Sequence, residues 1–125
     1  MFDRELRVLA VLALGLFALD VSVAQDSPMS PDEIKQAWVD KKVFSRGSTG
    51  AFFDFYLRSN GSAEVVGNSG SDSGTWRLSD TGYCTTWKKI RAGTERCFTV
   101  VKKGSSLIVF NPDLSVAAEV LKVVE

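Results

Sequence analysis

A chain of 125 residues with 15 basic and 15 acidic side chains has no excess positive charge, which argues against a dedicated nucleic-acid binder. It contains no histidine, so the commonest general base, metal ligand and nucleophile activator are all missing. Its two cysteines, without a histidine or a third thiol, fall short of a structural zinc set, and no metal or cofactor is expected.

The N-terminus has the three parts of a secretory signal: a short charged start ending at Arg7, an apolar run from Val8 to Leu19, and the small residues of Ser22-Val23-Ala24. The apolar run is too short for the ~20 residues of a membrane-spanning helix. Cleavage after Ala24 is expected, with residues 1–24 as signal peptide, residues 25–125 as one domain, and a periplasmic or secreted location. In an oxidising compartment an even pair of cysteines joins. A Cys84–Cys97 disulfide would stabilise the domain by on the order of 3 kcal/mol in the chain-entropy account.

Ser30-Pro31-Asp32-Glu33 combines a capping hydroxyl, a proline at the first helical position and glutamate three residues after the serine. The spacing predicts a helix over about 31–41, with Ile34 and Trp38 on its apolar face. Residues 45–50 read as a loop. From 51 to 58 the chain alternates, with Phe53, Phe55 and Leu57 on the core side. Asn60-Gly61 signals a hairpin with a type I′ turn, returning through a short polar edge strand over 62–67. Residues 68–73 read as a solvated loop, since the spaced acids of a calcium loop are absent.

Gly74 opens the stretch that gathers two tryptophans and both cysteines. Trp76 and Leu78 point inward, Asp80-Thr81-Gly82 turns the chain, and Tyr83–Trp87 returns. Setting Cys84 opposite Cys97 puts Thr86 opposite Glu95 and Trp87 opposite Thr94. Strands over 97–101 and 107–110 follow, separated by the turn at 102–105. Asn111-Pro112-Asp113 turns the chain again into a last strand over 116–124, where residues 117–122 also suit a short helix. The sum is a mainly β fold: an antiparallel meander of six or seven strands over about 51–124, forming a curved sheet or small barrel, with one N-terminal helix over an open side.

No phosphate-binding glycine loop and no G-x-S-x-G elbow occurs. Asp54 and Glu64 are the acids nearest apolar strand residues, but strand-face acids are ordinarily solvated, and no enzyme is expected. The candidate site is cationic: Lys88, Lys89, Arg91 and Arg96 lie close together beside Trp87. Such a cluster suits an anionic polysaccharide, a lipid headgroup or an acidic face of an envelope protein. Lysines on an exposed hairpin also guard against edge-to-edge pairing.

The ordered pattern Gly74-Thr75-Trp76, then Cys84-Thr85-Thr86-Trp87, then Cys97, preceded by a Phe-rich strand and Asn-Gly, resembles a family of short exported Gram-negative proteins known only as a domain of unknown function. The resemblance spans about 31–110 and implies an exported β-rich domain. A weaker similarity is to small bacterial barrel inhibitors of metalloproteases, which also carry a G-x-W strand and one disulfide. The functional expectation is a non-catalytic exported binding or envelope-associated module. The alternative is a periplasmic protease inhibitor acting through its mature N-terminal segment, Gln25 to Pro31.

Overall fold

The computed structural model describes residues 26–125, so the signal reading, with cleavage near Ala24, lies outside the described residues. The chain enters as a two-residue strand β1 (Ser27–Pro28) and caps its helix α1 (Pro31–Trp38) at Ser30. The Ser30 hydroxyl accepts from the Glu33 N–H at 3.1 Å, and the Glu33 carboxylate accepts from the Ser30 N–H at 2.9 Å. This reciprocal box satisfies two donors that a helix start leaves open. The helix ends at Trp38, three residues before the expected Lys41. Asp40 takes a left-handed φ of 63°, which turns the chain out of the helix, and its N–H donates to the Leu57 carbonyl instead of continuing the helical ladder.

Eight strands then run up and down: β2 (Lys42–Gly47), β3 (Phe52–Leu57), β4 (Ser62–Gly67), β5 (Gly70–Leu78), β6 (Tyr83–Trp87), β7 (Arg96–Lys103), β8 (Ser106–Phe110) and β9 (Val116–Val124). Each pairs antiparallel with its sequence neighbours, and β9 returns to β2, so the sheet closes into a barrel. β1 is the ninth strand, lying along β7 where β6 has ended. The closed barrel resolves the choice left open between sheet and barrel, and the last segment is strand.

The strand count exceeds the expected six or seven because β1 and β2 were not expected, and β5 is longer than expected. β2 falls where the sequence reads as helix end and loop. Its inward positions are Val43 and Ser45, both fully buried, and a serine in a core position weakens the apolar alternation that marks a strand. β5 begins at Gly70, so most of the expected loop over 68–73 is strand.

Two turns differ in detail. At Asn60-Gly61 only Gly61 has a positive φ, 89°, so the connection is not type I′. The Gly61 N–H donates to the Arg58 carbonyl and the Arg58 N–H to the Ser62 carbonyl, the pattern of a type I turn closed by a left-handed glycine. Asn60 Oδ1 accepts from the N–H and hydroxyl of Ser62, which holds Asn60 to the turn through its side chain instead. In the β6–β7 hairpin the Cys84–Cys97 register is as expected and the disulfide forms. The ladder stops at Thr85–Arg96, however, and the expected Thr86–Glu95 and Trp87–Thr94 pairs give way to an irregular turn.

Connections alternate between the two barrel ends. At the base lie α1 and the turns at 58–61, 79–82 and 104–105; at the mouth lie the loops at 48–51, 68–69, 88–95 and 111–115. Helix α1 closes the base. Ile34 and Trp38 are fully buried, and the Trp38 indole meets Phe55 and Tyr83 edge-on at 5.6 and 5.7 Å. Aromatic pairs at this separation add about 0.5–1.5 kcal/mol each beyond the area they bury. Among the described residues nothing comparable fills the mouth.

Candidate functional site

The inward face of the barrel is a stack of aromatic side chains that rises from the helix. Phe55 stacks on Tyr83 at 6.4 Å, Tyr83 meets Phe98 at 5.3 Å, and Phe53 lies 6.2 Å from Phe55. Above this floor is a cavity of about 350 Å³, open at the mouth. Its walls include Phe53, Val65, Trp87, Val109 and Ala118, and its rim takes in Ser48, Ile90, Arg91, Arg96 and Asn111. Among the described residues the lining holds two arginines and no carboxylate. A cavity of this size, mostly apolar with a few converging polar groups, is the usual form of a small-molecule site.

Arg91 is the polar group that enters the cup. Its Nη2 donates to the Thr85 hydroxyl at 2.9 Å and to the Thr85 carbonyl at 3.2 Å, and its guanidinium carbon lies 5.7 Å from the Phe98 ring centre. The Nε is buried and has no acceptor among the described residues. Burial, and then the nearby charge of Arg96, push the Arg91 pKa down, while Tyr83 acts the other way. Burial pushes the Tyr83 phenol up, partly offset by the Arg91 charge, so it stays a neutral hydroxyl at the floor.

The backbone that delivers Arg91 is unusual. Arg91 and Ala92 both take left-handed conformations, φ 57° and 52°, at a cost of order 1 kcal/mol or more each for side chains with a Cβ. Asp72 holds the turn in place. Its Oδ2 accepts from the N–H groups of Lys89 and Ile90, both at 2.9 Å, and its Oδ1 accepts from the N–H of Ser73 at 2.8 Å. Burial raises the Asp72 carboxyl, but these donors, with the Lys89 charge, outweigh it and hold the group below the usual carboxylate range. The sequence reading missed Asp72 because a small polar run resembles a loop. The available signal was alternation: Asp72, Gly74, Trp76 and Leu78 share the inward register of β5.

The cationic cluster divides between two positions. Arg91 and Arg96 line the cup with Trp87, which is buried in its wall. Lys88 and Lys89 stay exposed on the rim, where Lys89 borders a second groove of about 440 Å³ between the 48–51 and 68–69 loops. The two cavities share Phe53, Val65 and Ile90.

Other candidates lie elsewhere. Asp54 and Glu64 occupy outward positions of β3 and β4, and Glu64 is ion-paired to Arg58 at 2.7 Å. Glu95 lies within 4.8 Å of both cysteine sulfurs, but these are joined as a disulfide and are not thiolate ligands. The Glu95 carboxylate is instead held by Arg77 at 2.9 and 3.0 Å. Of the segment read as an inhibitory arm, Ser27 and Pro28 pair with Lys102 and Val101, Met29 is buried with its N–H on the Val100 carbonyl, and Asp26 is ion-paired to Lys103. Comparison of the chain with family models, with curated proteins and with solved structures gave no match.

Proposed function

We propose that the domain is a non-catalytic, exported binding module that takes a small amphipathic ligand into the barrel through its mouth. One observation carries this reading: a cavity of about 350 Å³ opens over an aromatic floor and is entered by the guanidinium of Arg91. The disulfide fits an oxidising compartment, where such bonds persist. An anionic ligand fits the two arginines of the lining, and the apolar walls favour a compact ligand over an extended polysaccharide. The protease-inhibitor reading has less support, because residues 26–29 are docked along β7 and do not extend as a free arm.

The test is titration with anilinonaphthalene sulfonate, an anionic aromatic probe whose fluorescence rises in apolar surroundings. The expected result is saturable one-to-one binding that is lost in Ala118→Phe, a substitution that fills the cup from β9. Binding of equal strength in an Ala118→Phe protein with native far-UV circular dichroism would place the probe outside the cup. Absence of saturable binding to the unaltered protein would also refute the reading.

A further inference from the structure

We infer that the ligand is a medium-chain monocarboxylate whose head group is held by Arg91 and whose chain fills the apolar cup. The inference rests on the cup reading and adds the chemistry of the occupant. Charge is the first argument. Among the described residues both formal charges in the lining are positive and both come from β7 and the loop before it, while Phe53 on β3 and Val65 on β4, across the barrel from β7, are apolar. That arrangement fits one anionic head at the arginines with one apolar tail against Phe53 and Val65.

The second argument is the unmet donor. Buried polar groups are nearly always hydrogen-bonded, and each exception calls for an explanation. Arg91 commits Nη2 to Thr85 and buries Nε without an acceptor among the described residues, which leaves Nη1 as the guanidinium nitrogen free to meet a ligand in the cup. A guanidinium N–H donated to a carboxylate oxygen is a charge-assisted bond, about twice as strong as a neutral one. The two left-handed residues and the grip of Asp72 fix the turn from which this side chain enters the cup. Strain held in place by its surroundings in this way is a recurring feature of ligand clamps.

Size is the third. At about 30 Å³ per water-sized atom, a 350 Å³ cavity takes on the order of a dozen non-hydrogen atoms, the count of a carboxylate with about ten carbons. A longer chain would have to leave over Ile90 into the neighbouring groove, with which the cup shares Phe53 and Val65.

The experiment is calorimetric titration of the protein at neutral pH with decanoate, decanol and decylamine, which share a chain and differ in head-group charge. Decanoate is expected to bind at least about tenfold more tightly than decanol, the range of a charge-assisted hydrogen bond, and decylamine more weakly than decanol. Arg91→Gln is expected to abolish the preference for decanoate over decanol. Equal affinity for decanoate and decanol in the unaltered protein, with both lost in Ala118→Phe, would overturn the head-group assignment and leave the cup reading standing. Failure of all three ligands to bind would remove both. If Arg91→Gln does not fold, the ranking of the three ligands on the unaltered protein decides the matter.

Discussion

Replacing Trp38 by alanine tests whether the helix closes the barrel base by packing. The side chain is fully buried and touches Phe55 and Tyr83, the aromatic pair on which the cup rests. Burial of ~200 Å² of indole at about 25 cal/mol per Å² contributes roughly 5 kcal/mol as an upper figure, and measured truncations of large aromatic side chains cost about 3–5 kcal/mol. Since a domain of this kind is stable by only about 5–15 kcal/mol, the loss takes a large share. Urea unfolding followed by far-UV circular dichroism should show the midpoint falling by roughly 2 M at a slope near 2 kcal/mol/M. Trp38→Phe supplies the internal comparison. It keeps an aromatic ring and removes an indole N–H that is buried without an acceptor among the described residues, so about 1–2 kcal/mol is expected. A Trp38→Ala loss below about 1 kcal/mol, or a Trp38→Phe loss as large as that of alanine, would refute the packing argument.

Replacing Cys84 and Cys97 together by serine should lower stability by about 3 kcal/mol, for a closed loop with a sequence separation of 13, while the strand signal persists in circular dichroism. Asp72→Asn should destabilise the domain at pH 7 by an amount that shrinks in acid. The folded pKa of Asp72 is depressed, so its contribution is fully present above the unfolded pKa and is lost as pH falls through the folded one. Parallel urea midpoints for the two proteins from pH 7 down to pH 3 check the sign, and a constant gap would contradict it. Gly74→Ala puts a Cβ into the backbone carbonyl of Thr86 on the neighbouring strand, a close approach that only glycine permits, and should cost about 1–3 kcal/mol by thermal melting. Ala92→Gly should do the opposite. Releasing a left-handed alanine on the exposed rim is worth up to about 1 kcal/mol, and about 4–8 °C per kcal/mol makes the gain visible.

Features set by neighbours in sequence were legible before the structure. The capping box at Ser30 and Glu33 and the hairpin at Asn60-Gly61 follow from side chains a few residues apart, the facing cysteines from a pair separated by 13, and each lies where the spacing puts it. Features set by neighbours in space were not. β2 is a strand because β3 and β9 flank it, although its own sequence offers Ser45 and Gly47 where apolar residues would announce it. Asp72 sits inward because the N–H groups of Lys89 and Ile90, far along the chain, supply its partners. The cluster around Trp87 was recognisable as cationic. The backbone twist at Arg91 and Ala92 that turns one arginine into the barrel, with Lys88 and Lys89 left on the rim, had no local signature, since neither residue favours a left-handed conformation.

The seam between β2 and β9 bears on how the domain is made. It joins Lys42 to Val124, so the barrel cannot close until the chain is available through β9. Loop closure over this distance is slow to begin and its entropy grows only gently with length, which places the seam late in folding. A chain ending before β9 would leave β2 and β8 with unpaired backbone groups, two adhesive edges that β9 covers in the closed barrel. Termination or proteolysis before β9 therefore converts a closed barrel into a species prone to pairing with other copies, and the nine residues of β9 act as its fastening.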